Sequence, residues 1–195
     1  MVLKYKGFTK GVRMIYYITG GARSGKSTFA EKIAQKFKNV GYIATGLAID
    51  DEMTQRIEIH KSGRPAHWKT FEQYSDIDSI IRNNDCDVYL LDCLTIMTTN
   101  IMMEKTVDGE ALSFEVEKEI ETKLTREIMN MVVAAKEEKK TLIVVSNEVG
   151  MGIVPEHRLA RSFRDIAGRA NQLMASLCDN AYLLVSSIPL KIKGK

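Results

Sequence analysis

The apolar positions of this 195-residue chain fall into short runs separated by helical stripes, nearly from one end to the other. Met14–Thr19 is an apolar run with two tyrosines, halted by Gly20 and Gly21, and reads as a buried strand. From Ser24 to about Lys36 the pattern turns helical, with Phe29, Ile33 and Phe37 at i, i+4 and i+8. Val40–Ala44 is a second strand. Asp50–Lys61 predicts a short helix opened by Asp50, Asp51 and Glu52, acids suited to the positive helix end, and Ser62-Gly63-Arg64-Pro65 stops it. Ile77–Ile81 falls in another short helix, and Asp87–Leu91 is a core strand ending at Asp92. Glu110–Lys139 is the longest helix candidate, with Val116, Ile120, Leu124, Ile128 and Val132 along one stripe. Thr141–Ser146 predicts a strand and Glu156–Leu177 a helix, and Ala181–Ser186 is expected to close the sheet.

Strands alternating with helices predict an α/β fold, a mostly parallel sheet with helices on both faces. There are no internal repeats, no low-complexity tracts and three prolines, so no linker divides the chain. The expected organisation is a basic extension over residues 1–13 and a single catalytic domain over 14–195. At 45% hydrophobic and 27% charged, the chain can bury a substantial core. Its apolar runs are strand-length, so no membrane insertion is expected. Cys86, Cys93 and Cys178 show no zinc-ligand spacing, and their odd number argues against a disulfide framework, which points to a reducing, cytoplasmic location. The net charge of +3 resides at the amino terminus, in Lys4, Lys6, Lys10 and Arg13. Setting these four aside leaves 24 basic against 25 acidic residues, so no nucleic-acid footprint is written into the body.

Candidate chemistry begins at Gly20-Gly21-Ala22-Arg23-Ser24-Gly25-Lys26-Ser27, which matches the GxxxxGKS phosphate loop and sits between a strand and a helix, as that motif requires. The glycines let the backbone wrap phosphates, Lys26 can neutralise β/γ oxygens, and the Ser27 hydroxyl can ligate Mg²⁺. The loop makes the fold class a P-loop NTPase-type, RecA-like one. Such a site wants a carboxylate beside the metal on a neighbouring strand end. Val88-Tyr89-Leu90-Leu91-Asp92 supplies it, with Asp92 as the second metal-site residue.

The stretch from Asp50 to Glu72 is the next informative one. Met53, Ile57 and His60 share a helical face, which is the pattern of a packed core histidine. Arg56, Lys61 and Arg64 crowd the same segment, however, and burying so many cations is costly. A neutral imidazole among cations near a triphosphate is equally the pattern of a nucleophile at phosphorus.

From Met14 to about Lys193 the chain resembles the bifunctional adenosylcobinamide kinase / adenosylcobinamide-phosphate guanylyltransferase family. The resemblance rests on ordered blocks: TGGARSGKS (19–27), YIAT (42–45), Asp51-Glu52-Met53 with Arg56-Ile57 and His60, and GRPAHW (63–68). It continues through Thr70 and Glu72, Asp92–Thr95 with Asn100, SNEVGMGIVP (146–155), RLARSFRDIAG (158–168) and Asn171-Gln172. It implies a kinase step with ATP or GTP on adenosylcobinamide, then transfer of GMP from GTP through a guanylyl-histidine to give adenosylcobinamide-GDP. The nucleophile falls on His60, with Ile59 before it where some relatives have two adjacent histidines. GTP contacts fall on the phosphate loop and on Ala44, Thr45, Gly46, Lys61, Ser62, Gly63, Arg64, Glu72 and Asp92. A homotrimer is also implied. The alternatives are a small-molecule P-loop kinase without the guanylyl step, which has no need of His60, and a DNA-associated ATPase, against which the nearly neutral body counts.

Overall fold

The computed structural model describes residues 13–46, 65–106 and 111–194. Seven strands are present: β1 (Ile15–Gly20), β2 (Val40–Ala44), β3 (Lys69–Glu72), β4 (Val88–Asp92), β5 (Thr141–Val145), β6 (Asn180–Val185) and β7 (Ile188–Lys193). They form one sheet in the order β3-β2-β4-β5-β1-β6-β7. All pairings are parallel except β6 with β7. The helices are α1 (Lys26–Ala34), α2 (Ile77–Asn83), α3 (Leu94–Met103), α4 (Phe114–Glu137) and α5 (Arg158–Leu177). The mostly parallel α/β expectation is borne out.

The inner strands are apolar at successive positions because both faces are covered. Ile15, Tyr17, Ile43, Tyr89, Leu91, Leu142 and Val144 pack towards α2, α3, α4 and α5. Their alternates Tyr16, Ile18, Tyr42, Leu90, Ile143 and Val145 pack on the opposite face with Ala30, Ile33 and Ala34 of α1. On α4 the expected stripe is real: Ile120, Leu124, Ile128 and Val132 are buried. Ser113 opens that helix by accepting from the Val116 N–H at 3.4 Å, and Glu115 and Glu117 stand in its first turn.

Several boundaries differ from the sequence reading. Helix α1 starts at Lys26 rather than Ser24, because Gly25 caps it in a left-handed conformation. Helix α4 starts at Phe114. The helix expected over Asp50–Lys61 lies outside the described residues. Three elements were not anticipated. Helix α3 follows β4 after one residue, and its polar residues Thr95, Thr98 and Asn100 are buried along with its apolar ones, so it has no clear polar face. Strand β3 is a short exposed edge with two charged residues in four. Strand β7 corrects the expectation that 181–186 closes the sheet. Ser186 and Ser187 adopt positive φ of 48° and 66°, a tight hairpin turn, and β7 adds an antiparallel edge beyond β6. Such turns favour Asn-Gly or Asp-Gly, so Ser-Ser gave no hairpin signal.

Candidate active site

The phosphate loop leaves β1 at Gly20, whose φ of 151° and close approach to β6 fit glycine alone: a Cβ there would lie 2.5 Å from the Leu184 carbonyl oxygen. Arg23 takes a left-handed conformation with φ 55°, and the loop closes onto Gly25, the cap of α1. Gly21, Ala22 and Arg23 are exposed, whereas Ser24 and Lys26 are buried. Lys26 Nζ donates to the Gly21 carbonyl at 2.6 Å and to Ser24 Oγ at 3.4 Å, curled over its own loop. Burial pushes its ammonium below the ordinary lysine pKa, while nearby Cys93 and Asp92 favour the charged form. Lys26 therefore lies within electrostatic reach of the Asp92 carboxylate.

Asp92 ends β4, separated from β1 by β5 alone, which is two strand spacings or about 10 Å. Its Oδ2 accepts from the Tyr42 hydroxyl at 2.8 Å. The carboxyl ends of three strands are in register here, with Ala44 opposite both Glu72 and Asp92. Thr45 then locks the end of β4: its buried Oγ1 donates to the Cys93 carbonyl and accepts from the Cys93 N–H, each at 2.8 Å. Asn100 Nδ2 donates to the Thr45 carbonyl at 2.7 Å.

A second polar chain orders the loop after β5. Ser146 Oγ donates to Asn171 Oδ1 at 2.7 Å and lies 3.1 Å from Thr95 Oγ1. Since the Ser146 hydrogen is committed, Thr95 is the donor of that pair. Thr95 also accepts from the Asn147 N–H at 2.6 Å, and Asn171 Nδ2 donates to the Asn147 carbonyl at 3.0 Å. The Glu148 N–H reaches the Gly20 carbonyl at 3.0 Å. These buried groups are mutually satisfied, which fixes the sheet edge around the phosphate loop.

The structure thus gathers Gly20 to Ser27, Ala44, Thr45, Gly46, Glu72 and Asp92 at the carboxyl edge, where open α/β sheets take ligands. His60, Lys61, Ser62, Gly63 and Arg64 lie outside the described residues. Tyr42, Thr95, Asn100, Ser146 and Asn171 were given no supporting role from the sequence; only Ser146, directly after β5, and Thr95, three residues after β4, carried a signal, as hydroxyls following an apolar strand. His67 is exposed in a turn beside buried Trp68, and His157 is an exposed residue at the start of α5. Arg161 donates to the Pro155 and Glu156 carbonyls, and Arg164 pairs with Asp165 at 3.6 Å, so both act locally. Met97, Met102 and Met131 are core, whereas Met103 and Met129 are exposed.

The donor set for a metal is hard oxygen, from Ser27 and the Asp92 carboxylate. That fits Mg²⁺, which takes one or two protein oxygens and completes its shell with phosphates and water. A groove of about 530 Å³, lined by Thr99, Met102, Met103, Leu159 and Phe163 among others, opens at the far end of α3.

Comparison with known proteins bears on this site. The family model described as "Cobinamide kinase / cobinamide phosphate guanyltransferase" matches residues 16–192. This chain belongs to that family. The Escherichia coli K12 "Bifunctional adenosylcobalamin biosynthesis protein CobU" is 44% identical over 182 residues, covering 92% of this chain and 100% of that protein. The Salmonella typhimurium protein of the same name matches to the same extent. The Pseudomonas aeruginosa "Bifunctional adenosylcobalamin biosynthesis protein CobP" is 37% identical over 91% of this chain and 96% of its own. Solved structures agree on the fold alone. A type III secretion system ATPase aligns with TM-score 0.51 at 10% identity, over 90% of this chain and 53% of that one. A Pyrococcus horikoshii OT3 protein aligns with TM-score 0.51 at 7% identity, over 94% and 89%.

Proposed function

We propose that this chain carries out two successive group transfers on a corrinoid. It first phosphorylates the aminopropanol hydroxyl of adenosylcobinamide with a nucleoside triphosphate. It then joins GMP from GTP to that phosphate, giving adenosylcobinamide-GDP. The observation that carries this reading is the phosphate loop Gly20–Ser27 facing Asp92 at the sheet edge, in a chain of the cobinamide kinase / cobinamide phosphate guanyltransferase family.

In the kinase step the substrate hydroxyl attacks the γ-phosphorus in line. The β–γ bridging bond breaks, the nucleoside diphosphate departs, and the hydroxyl proton passes to solvent. The loop N–H groups and Lys26 hold the phosphate charge through this transfer. In the second reaction an imidazole nitrogen of His60 attacks the α-phosphorus and pyrophosphate leaves. A phosphate oxygen of the corrinoid then attacks the same phosphorus, the P–N bond breaks and the imidazole is restored. Ser27 and Asp92 would hold Mg²⁺, which offsets phosphate charge when bound. GTP contacts are assigned to the loop, to Ala44, Thr45, Gly46, Glu72 and Asp92, and to Lys61, Ser62, Gly63 and Arg64.

The apolar groove at the end of α3 suits part of the rim of a large corrinoid, since α3 starts two residues past Asp92. The working unit is a homotrimer in the cytoplasm, with residues 14–195 as one catalytic domain. Met129 and Val133, exposed one turn apart on α4, are suited to a subunit contact. Among the described residues no helix is long and apolar enough to cross a membrane. The test is incubation with α-labelled GTP. Label on the protein that is acid-labile and base-stable, as a phosphoramidate is, supports the two-step enzyme. A plain kinase retains no label.

A further inference from the structure

On the two-step reading, the two transfers differ in one chemical requirement. An alcohol must give up a proton as it attacks the γ-phosphorus. Neither nucleophile of the guanylyl step has to: a neutral imidazole attacks through a lone pair, and the corrinoid phosphate is already an anion. The kinase step alone therefore has use for a base beside the γ-phosphate, on the side from which the alcohol comes. Asp92 is turned the other way. It accepts from the Tyr42 hydroxyl at 2.8 Å, and Tyr42 packs on the α1 face of the sheet.

Glu148 is the third residue past β5, the strand between β4, which ends in Asp92, and β1, which opens the phosphate loop. Its N–H meets the Gly20 carbonyl at 3.0 Å, so its backbone touches the start of that loop. Asn147 before it is clamped by Thr95 of α3 at 2.6 Å and by Asn171 of α5 at 3.0 Å. These are the helices whose Met102, Leu159 and Phe163 line the apolar groove, and the three side chains pack with Tyr17 on the face opposite α1. The Glu148 carboxylate reaches the same face. Burial first, and the charge of half-buried Glu148 after it, push the Tyr17 hydroxyl up to about 12. Glu148 Oε1 accepts from the Gly150 N–H at 2.7 Å, and among the described residues no cation pairs with the carboxylate. Glu148 thus stands where the groove meets the phosphate loop, with Oε2 left to take a proton.

We propose that Glu148 is the base of the kinase step. A corrinoid with part of its rim in the groove brings its hydroxyl to the γ-phosphorus past this carboxylate. The hydroxyl oxygen bonds to the γ-phosphorus as its proton moves to Glu148 Oε2. The β–γ bridging bond breaks, and the nucleoside diphosphate leaves with that electron pair. Glu148 then releases the proton to solvent. The guanylyl step does not use it.

Glu148→Gln keeps an oxygen for the Gly150 N–H and leaves the backbone bond to Gly20 in place, so thermal melts should match the wild type. With adenosylcobinamide and ATP, kcat for phosphate transfer should fall roughly 10²–10⁴-fold, with donor KM within about twofold of wild type. GMP incorporation from α-labelled GTP, and its transfer to adenosylcobinamide phosphate supplied ready-made, should stay within about threefold of wild type. Glu148→Asp, which keeps a carboxylate on a shorter arm, should retain more kinase activity than the glutamine variant. An equal fall in both reactions makes Glu148 a brace for the phosphate loop, and a near-normal kinase rate gives it no part in proton transfer. Either result overturns the proposal and leaves the two-step reading standing. A wild-type chain that forms no adenosylcobinamide phosphate overturns both.

Discussion

Glu127, 4% exposed on α4, accepts a hydrogen bond from the backbone N–H of Asp76 at 2.8 Å, just before α2 begins. Burial raises its carboxyl pKa above the ordinary range, and Asp76 and Asp78 add to the shift. The native chain therefore holds this proton more tightly than the unfolded one. The stability it contributes is complete below the ordinary glutamate range and is lost as pH rises through the raised folded value. Glu127→Gln keeps an oxygen for the Asp76 N–H and removes the buried charge. Thermal melts at pH 7 should show the variant at least as stable as the wild type, with a flatter pH profile on the acid side. A loss above about 1 kcal/mol at pH 7 would mean that the Asp76 N–H needs a charged acceptor. At this scale the sequence speaks clearly where chemistry is local. Gly25, Lys26 and Ser27 are adjacent, and Asp92 ends an apolar run, so their placement was legible. Tyr42 on Asp92, Thr45 on Cys93 and Asn171 on Ser146 join residues 25 to 50 positions apart. Those pairings exist only once the strands are in register.

Elements hold the phosphate loop from outside as much as the loop shapes itself. Gly25 has φ 91°, and a Cβ there would lie 2.7 Å from Ser187 Oγ and 3.1 Å from Ser187 Cα. Gly25→Ala therefore strains the helix cap and pushes the β6–β7 turn away from the loop. We expect a loss of roughly 1–3 kcal/mol in stability and of both transfer activities, read by denaturant melts and product assays. Full kinase activity in this variant would show that the turn does not set the loop's shape. The same turn explains why β7 escaped the sequence pattern. Ile188, Leu190 and Ile192 alternate properly, but they are exposed and follow a serine pair rather than a glycine turn. Helix α3 was lost for the opposite reason. Buried nearly all round, it hides its polar residues Thr95, Thr98 and Asn100 along with its apolar ones, so no one-sided stripe marks it. Helix α4, with one wet face, kept its stripe and was found.

Across the whole molecule, the order β4-β5-β1-β6 puts Asp92 and the β6–β7 turn on opposite sides of a single loop. The alternation of strands and helices made the class of fold legible, but the order of the strands is a tertiary fact. Of the four amino-terminal basic residues, Arg13 is among the described ones. Arg13 meets the Asp87 carbonyl at 3.3 Å and its carboxylate at 3.7 Å, a half-exposed contact of a kind worth about 0–1 kcal/mol. Deleting residues 1–12 spares that contact, so the Tm should move by less than about 3 °C and turnover should hold. A larger fall would mean that the segment docks on the body.

In the proposed function one loop supports two chemistries, and only the second passes through a histidine. His60→Ala leaves Gly20–Ser27 and Asp92 untouched. With adenosylcobinamide, ATP and GTP supplied together, product analysis of this variant should show adenosylcobinamide phosphate accumulating at near wild-type rate. Adenosylcobinamide-GDP should fall by several orders of magnitude, with no GMP on the protein. Equal loss of both products, or acid-labile GMP still attached to the variant, would contradict it.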